Sequence, residues 1–476
     1  MSDFSSVEVT DVPVELEWTR VEWLFLAIVR RVPWMAETSG TDRVLTAFRG
    51  SVWTIVGYGG SQVLRLVSMV ILARHLLGPQ AFGMVALVNV FLSGLALFTD
   101  LGIGTDVIQH KRGDEAAFVN TAFLIQAIRG GLLFLIAASL AYPFAHFYHQ
   151  PEIRLLAIVA SVSVLVQGFS SGSVWSRTRR VQLGTITLLR IGAEATGLLV
   201  SIMWALASPT AWAIVGGRVA AELFFTIGSH FLKDQPVSRV WDRQAAKEIL
   251  AFGTGMFVSS ATYFLAGESE RLVIGKFITL AMLGCFSLAL SITSAATQGI
   301  LRLLSQVFFP MIAVSARKNL NLAASQYQKA RLTLLVASGG VAAGSIIGGN
   351  FIVAHLLGPK YAMAGWMLQL LGFRAALELF TSLTTQMLFA LGTSKYAAAG
   401  NVCKLLFLGV GLTIAFTKFG FYAAVWVLAL SSLFAYIPLL YGIKTHFRQA
   451  LKGELVTFAA FIAVSSAAAF VIKIVG

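Results

Sequence analysis

Thirteen long apolar segments, separated by short polar loops, make up most of this chain of 476 residues. A helix needs about 20 apolar residues to cross the hydrocarbon core of a bilayer, and each segment is close to that length or longer. The pattern therefore predicts an all-α polytopic membrane protein. Its spans are predicted near 51–73, 81–105, 118–142, 155–174, 183–206, 211–231, 248–271, 281–311, 332–354, 362–390, 398–416, 422–442 and 454–475.

The basic residues of the loops alternate in number along the chain. Loops that follow even-numbered spans contain 17 Lys and Arg, and loops that follow odd-numbered spans contain five. Basic loops are retained in the cytoplasm, so this asymmetry predicts a cytoplasmic N-terminus and places the odd-numbered loops outside. Cytoplasmic loops that face anionic lipid also explain the net charge of +14, which therefore does not indicate a nucleic acid partner.

The span order divides the chain into five predicted parts. Residues 1–43 read as an acidic tail followed by a Trp-rich interfacial helix, with a cytoplasmic docking tail as the competing interpretation. The next three parts are an N-terminal six-helix lobe at 44–232, a cytoplasmic linker at 233–247 and a C-terminal six-helix lobe at 248–445. The last part is an extra C-terminal membrane helix at 446–476. This helix either spans the membrane fully or lies on the lipid side without crossing.

Several classes of protein are disfavoured by what the loops lack. No loop is long enough to fold an independent catalytic domain, and no Walker-type phosphate-binding motif occurs. The two cysteines, Cys285 and Cys403, fall within predicted spans and are expected to pack as small apolar residues. No Cys and His cluster has metal-ligand spacing, so we expect no metal and no cofactor. A transporter or flippase fits better than an enzyme.

Charged residues recur inside the predicted spans, where each one needs a partner or an aqueous cavity. Three Arg and Glu pairs have i, i+4 spacing, which places both groups on one helix face. Either these pairs make buried charge tolerable, or they line a cavity and act as a gate. The pairs are Arg190 with Glu194, Arg218 with Glu222, and Arg374 with Glu378.

Four cations lack an acidic residue nearby on their own helix. Arg302 and Lys404 lie close enough to the cytoplasmic surface for their head groups to reach it. Arg65 and Arg129 lie nearer mid-span and are candidates for a cavity that receives an anionic group. The alternative for Arg65 and Arg129 is an interhelical ion pair with Asp100 or Glu268.

Two further carboxylates lie at span ends. Glu268 and Arg271 are three residues apart at the end of span 7 and can pair. Asp100 has no cation three or four residues away, so it is a candidate for ion coupling. A hydrogen-bonded structural role for Asp100 is the equal alternative.

An internal repeat suggests two lobes in tandem. The motif R-x-x-[LI]-G occurs at 74–78 after span 1 and at 271–275 after span 7, an offset of 197 residues. Such an offset suits two six-helix halves of like orientation. The sequence HLLGP also recurs, at 75–79 and 355–359. This second repetition, at loops one and nine, is not explained by the half-repeat.

Four segments resemble the Wzx-type polysaccharide flippases of the multidrug/oligosaccharidyl-lipid/polysaccharide exporter superfamily. They are RHLLGPQAFG at 74–83, TDLGIGTDVIQ at 99–109, ESERLVIGKF at 268–277 and LRLLSQVFFPMIAVSAR at 301–317. The resemblance runs from about residue 44 to about 445. There are two departures: thirteen spans are predicted where members have 12 or 14, and Glu270 precedes Arg271 where aspartate is expected.

The resemblance implies both a fold and a function. The expected fold has two six-helix bundles in a V, related by a pseudo-two-fold axis around a cationic cavity, with alternating access. The expected function is the translocation of undecaprenyl-diphosphate-linked oligosaccharide across the bacterial inner membrane for exopolysaccharide, capsule or O-antigen synthesis. A polymerase and a chain-length regulator are the protein partners that it implies.

Guanidinium groups in a wet cavity suit a diphosphate or an acidic sugar, because arginine makes charge-assisted bidentate contacts. A drug/cation antiporter of the same superfamily, a membrane-embedded glycan polymerase or ligase, and a structural assembly partner remain as rivals. We therefore predict two groups of residues. The cavity candidates are Arg65, Arg129, Arg190, Arg218 and Arg374, and the charge-pair or gate candidates are Glu194, Glu222, Glu378, Glu268 and Arg271.

Overall fold

The computed structural model describes residues 41–97, 101–232, 234, 241–253 and 269–475, and every regular element among them is a helix. The prediction of an all-α fold is confirmed. The longer helices are α1 (Thr41–Ile71), α2 (Pro79–Leu97), α3 (Ile103–Gln109), α4 (Ala116–Phe147), α5 (Glu152–Gly168), α6 (Ser173–Arg179), α7 (Leu183–Ala207), α8 (Ala211–His230), α9 (243–253), α10 (Ser269–Phe277), α11 (Leu280–Leu303), α12 (Phe309–Lys318), α13 (Leu320–Leu356), α14 (Ala364–Ala390), α15 (Lys395–Ile414), α16 (Phe421–His446) and α17 (Leu451–Val475).

Nine helices in these ranges are long and apolar enough to cross a membrane. The pair α5 and α6, which covers the predicted span 155–174, makes a tenth candidate and is bent by 61°. Predicted span 7, 248–271, lies largely outside the described residues. The chain is therefore a multi-pass membrane protein.

Helix α13 begins earlier than the apolar pattern predicts. Asn319 caps it, because its side chain accepts a hydrogen bond of 2.8 Å from the backbone N–H of Asn321. The predicted start at residue 332 was set by the apolar window, whereas α13 runs for 37 residues from Leu320. Arg331, which the sequence places in a cytoplasmic loop, therefore lies within the helix.

The helices form two bundles, which we call the N-lobe (α1–α8) and the C-lobe (α10–α17). In the N-lobe α7 packs on α8 and α1, and α4 packs on α5; in the C-lobe α13 packs on α14 and α17, and α15 packs on α16. The main helix contact between the lobes joins α2 to α11. Helix α17 thus belongs to the C-lobe packing.

The two ends of the bundles carry different loops. We call the end formed by 77–79, 148–151, 278–279 and 357–361 the odd-loop face, and the end formed by 110–115, 180–182, 231–232 and 241–242 the even-loop face. The positive-inside pattern predicts that the odd-loop face is outside. Helix α9 starts at the even-loop face and packs against the N-lobe, where Ala245 and Ile249 share an apolar core with Phe118.

Candidate functional site

A line of polar contacts runs through the N-lobe between four helices. Arg65 Nη2 on α1 lies 3.2 Å from Glu194 Oε1 on α7. One turn away on α7, Arg190 Nη1 lies 3.7 Å from Glu222 Oε1 on α8. We call this group the N-lobe charge ladder, and its members are Arg65, Glu194, Arg190, Glu222, Arg218 and Asn89.

Arg218 ends the ladder at α2. Its Nη1 donates a hydrogen bond of 2.6 Å to Asn89 Oδ1. The ladder thus holds three arginines and two glutamates, with one neutral acceptor that is Asn89. Among the described residues, the cations of the ladder outnumber its anions, so this group has an excess positive charge inside the membrane region, where a bound anion would be stabilised.

Two of the three predicted i, i+4 pairs have other partners. Arg190 pairs with Glu222 rather than with Glu194, and Arg218 bonds to Asn89 rather than to Glu222. The spacing does put both side chains on one helix face, but that face is turned towards neighbouring helices that offer closer acceptors. For these two cations the closest bonded partner lies on another helix, while Arg218 and Glu222 still interact electrostatically along α8.

The members of the ladder differ in how far they are exposed. The side chain of Arg65 is 63% exposed and that of Arg190 is 39% exposed, whereas their partners are exposed by 25% and 19%. Glu222 Oε2 is buried and accepts no hydrogen bond from the residues that the structure describes. Arg65 is therefore the member best placed to exchange its intramolecular partner for a ligand.

A cavity of about 260 Å³ lies beside the ladder in the N-lobe. It brings together two predicted cavity residues, Arg129 and Arg190. Arg129 donates a hydrogen bond of 2.9 Å to Ala96 O, and the guanidinium of Arg190 lies 3.9 Å from the ring centre of Phe225. The polar and aromatic lining consists of Gln126, Arg129, Gln167, Ser170, Ser171, Trp175, Arg190 and Phe225.

Arg374, the remaining cavity candidate, lies in a different place. It is buried in the C-lobe, where it pairs with Glu270 at 2.6 Å and with Glu378 at 3.2 Å. Lys404 Nζ also lies 2.9 Å from Glu378 Oε1. Arg374 therefore acts as a core cation, contrary to its predicted place in the cavity, while its predicted pairing with Glu378 is present. Lys404 is held by Glu378 and does not reach out to the surface.

Arg302 is exposed near the end of α11. Its guanidinium lies 3.7 Å from the ring centre of Tyr58, so it makes a cation–π contact between α11 of the C-lobe and α1 of the N-lobe. Among the gate candidates, Arg271 is half-buried in α10. Glu268 and Asp100 lie outside the described residues, and their predicted roles stay predictions.

A buried ion pair that the sequence reasoning missed joins α13 to α17. Arg331 is 1% exposed, and its Nη2 lies 2.6 Å from Glu454 Oε1. Tyr327 donates to the other carboxylate oxygen at 2.6 Å, and Tyr436 also donates to Glu454. The signal was available in the spacing of Tyr327, Arg331 and Leu334, which repeat along one face of a helix that starts before the apolar window.

A second missed cluster ties helix α9 to the N-lobe at the even-loop face. Arg112 donates to Asp242 at 2.6 Å, to Glu248 at 3.3 Å and to Glu115 at 2.8 Å. The hydrogen bond from Arg112 lowers the pKa of Asp242, and the same bond raises the pKa of Arg112. The cluster anchors the first turn of α9 next to the loop before α4.

Comparison with known proteins places these features in context. The family described as "Polysaccharide biosynthesis protein" matches residues 71–365. The succinoglycan biosynthesis transport protein ExoT of Rhizobium meliloti is 23% identical over 270 residues, which cover 57% of this chain and 54% of ExoT. The match thus spans about half the length of ExoT. The teichuronic acid biosynthesis protein TuaB of Bacillus subtilis is 21% identical over 371 residues, 76% of each chain.

Solved structures share the fold at low sequence identity. An inward-facing multidrug resistance MATE family transporter of the MOP superfamily has a TM-score of 0.61 at 15% identity, with 84% of this chain and 95% of that chain covered. The lipid II flippase MurJ in an inward closed conformation has a TM-score of 0.61 at 14% identity, with 89% and 98% covered. These likenesses confirm the predicted two-bundle fold.

Proposed function

This chain belongs to the family of polysaccharide biosynthesis proteins, and on that premise we propose that it flips lipid-linked oligosaccharide repeat units across the bacterial inner membrane. The resemblance to polysaccharide flippases is confirmed by the family match. The family match and the similarity to the transport protein ExoT support a membrane transporter of the flippase and exporter type. The proposed cargo is an oligosaccharide on an undecaprenyl diphosphate carrier.

The observation that supports this cargo is the exposed guanidinium of Arg65 in the N-lobe charge ladder. A diphosphate needs cations that can bond to two oxygens at once, and arginine has that geometry. In the described part of the chain, Arg65 is 63% exposed and bonds to Glu194 by one oxygen at 3.2 Å, which leaves its other donors available for a ligand. The polyprenyl chain would stay in the lipid.

The N-lobe cavity supports a role for the sugar part of the same cargo. Amide, hydroxyl and indole groups line it next to Arg129 and Arg190, and such groups hydrogen-bond to sugar hydroxyls and cover sugar faces. A volume of about 260 Å³ admits a small polar group rather than a whole oligosaccharide. We propose that one acidic sugar or a phosphate enters there during passage.

The rival drug/cation antiporter requires carboxylates that are free to bind a cation. In the described part of the C-lobe, the buried Glu270 and the partly exposed Glu378 are neutralised by Arg374 and Lys404. Two cations against two anions leave no excess negative charge at this site. The arrangement favours an anionic cargo over a cationic one.

The test is a complementation and accumulation assay in a strain that lacks the gene. Loss of the protein should accumulate lipid-linked repeat units that remain inaccessible from outside the cell, and the intact gene should restore their export. Arg65→Ala and Arg190→Ala should restore it poorly at normal membrane levels. If the deletion strain accumulates no lipid-linked repeat units, the proposed function is wrong. A polymerase and a chain-length regulator are the proposed partners downstream.

A further inference from the structure

The two HLLGP motifs meet at the odd-loop face, one from each lobe. Tyr361, which follows the second motif, is fully buried and donates a hydrogen bond of 3.1 Å to Leu77 O in the first. Its ring also packs edge-on against Phe82 at 6.0 Å between ring centres. Loop 1 of the N-lobe is thereby bonded to loop 9 of the C-lobe.

A second tyrosine makes a corresponding bond between the two lobes. We call the boundary between the lobes at the odd-loop face the seam. Tyr148, at the end of α4 in the N-lobe, donates a hydrogen bond of 2.8 Å to Leu272 O of the C-lobe. Next to it, Lys276 reaches Phe147 O and lies 3.5 Å from His149 Nδ1. The end of α4 and loop 3 of the N-lobe are thereby bonded to α10, which precedes loop 7.

Between the two tyrosines, α2 and α11 touch through glycines. A Cβ on Gly83 would lie 1.9 Å from Leu280 O, and a Cβ on Gly284 would lie 1.9 Å from Pro79 O. In α2, Gly83 lies four residues after Pro79, whose carbonyl is approached by Gly284. In α11, Gly284 lies four residues after Leu280, whose carbonyl is approached by Gly83. The two backbones contact each other reciprocally, and only glycine allows this approach.

These three contacts follow the internal repeat. The repeat maps span 1 onto span 7 and span 3 onto span 9, so loop 1 corresponds to loop 7 and loop 3 to loop 9. Contact of loop 1 with loop 9 then requires, by pseudo-two-fold symmetry, contact of loop 7 with loop 3. The bond of Tyr148 is an approximate counterpart of the bond of Tyr361, because its acceptor Leu272 lies in α10, two residues before Ile274, which corresponds to Leu77 in the repeated motif. The Gly83 and Gly284 contact joins α2 to α11 at the same boundary between the lobes.

We propose that Tyr148 and Tyr361 form a two-sided clasp that holds the odd-loop face shut, and that release of both bonds opens this face. The inference rests on the proposed function only in assuming that the lobes move apart there. Each bond joins a side-chain hydroxyl to a main-chain carbonyl, and water replaces both partners on opening. Because the net effect of such a bond is small, the clasp biases the equilibrium by about fivefold per bond and stays reversible.

The experiment measures opening of the odd-loop face directly, without substrate. In a Cys285→Ser and Cys403→Ser background, His149→Cys and Lys276→Cys place one thiol on each side of the seam, and a short bifunctional thiol reagent links them when the face is closed. In the full chain in lipid nanodiscs, Tyr148→Phe or Tyr361→Phe should lower the closed-to-open ratio about fivefold, and both together about 25-fold if the bonds add. The matched control is Tyr422→Phe, because Tyr422 also lies near this face but its side chain is exposed.

Unchanged cross-linking in the double phenylalanine variant, at unchanged thermal stability, would overturn the clasp. A second variant keeps the test decisive: Gly83→Ala should force the seam apart and reduce cross-linking more strongly than either tyrosine variant. Equal cross-linking in Gly83→Ala also counts against the proposal. The cross-linking assay contains no cargo, so its result does not depend on export. Failure of the export assay together with the expected change in cross-linking would contradict only the proposed function. Normal export together with unchanged cross-linking would contradict only the clasp.

Discussion

Arg65 and Glu194 lie 129 positions apart in the sequence and meet at 3.2 Å between α1 and α7. Their helices come close enough because Gly57 and Gly60 of α1 face Thr187 and Ile191 of α7, where a Cβ on Gly57 would lie 2.7 Å from Thr187 Cγ2. In this ion pair the side chain of Arg65 is exposed by 63%, whereas that of Glu194 is exposed by 25%. This asymmetry makes Arg65 the sharpest test of the cargo's charge.

We expect Arg65→Ala to lower export of the lipid-linked oligosaccharide about tenfold or more, because a charge-assisted hydrogen bond contributes about 1.5 kcal/mol or more. Export is measured in the deletion strain at matched membrane levels. Arg154→Ala, which removes an exposed cation at the odd-loop face, is the control and should leave export unchanged. Equal export by the two variants would contradict the assignment of Arg65.

Glu194→Gln tests whether the ladder's acids compete with the cargo for Arg65. Removing the negative charge frees the guanidinium from its ion pair, so we expect tighter binding of a diphosphate analogue to the purified protein. Calorimetric titration with a soluble diphosphate measures the change, and Glu115→Gln, whose carboxylate pairs with Arg112 at the even-loop face, is the control. Weaker binding in Glu194→Gln would show that the glutamate positions Arg65 rather than competes for it.

The buried pair of Arg331 and Glu454 should determine how firmly α17 is held. Arg331→Met leaves the Glu454 carboxylate buried without its cation, which costs about 3–5 kcal/mol of unfolding free energy. The double variant Arg331→Met with Glu454→Gln removes both charges and should recover a large part of that loss. Unfolding of the purified protein, followed as a double-mutant cycle, measures both values. Additive losses would mean that the two residues act independently.

Arg374 separates a core role from a cavity role. Since Arg374 neutralises Glu270 and Glu378, Arg374→Met should lower the stability and membrane level of the protein together with export. Adding Glu270→Gln should restore part of the membrane level, because one unpaired charge is removed. Selective loss of export at normal stability would instead return Arg374 to the cavity, as the sequence predicted.

Much of the fold, and part of the site, could be predicted from the sequence. Apolar length and loop charge locate most spans, and the cost of charge in lipid identifies Arg65, Arg129 and Arg190 as unusual. Partner choice could not be predicted, because Glu194 and Glu222 are selected by helix packing rather than by spacing along one helix. The HLLGP repetition was visible, but its meaning required the contact of Tyr361 with Leu77 across the lobes.

The anchor of α9 should depend on pH through Asp242. Its pKa is lowered by the hydrogen bond from Arg112, so the bond stabilises the anchor above the unfolded-state pKa of the carboxyl and is lost as the pH falls through the lowered value. Asp242→Asn should therefore speed amide hydrogen exchange in 243–253 at neutral pH and make little difference once the native carboxyl is protonated. His110 and Glu248 also face each other in this cluster at 3.7 Å, so the pH profile of Asp242→Asn is compared with that of a control variant. The control is Asp114→Asn, because Asp114 pairs with Arg179 rather than with Arg112. A difference between Asp242→Asn and the unmodified protein that persists unchanged at acid pH would show that Arg112 does not hold α9 through this carboxylate.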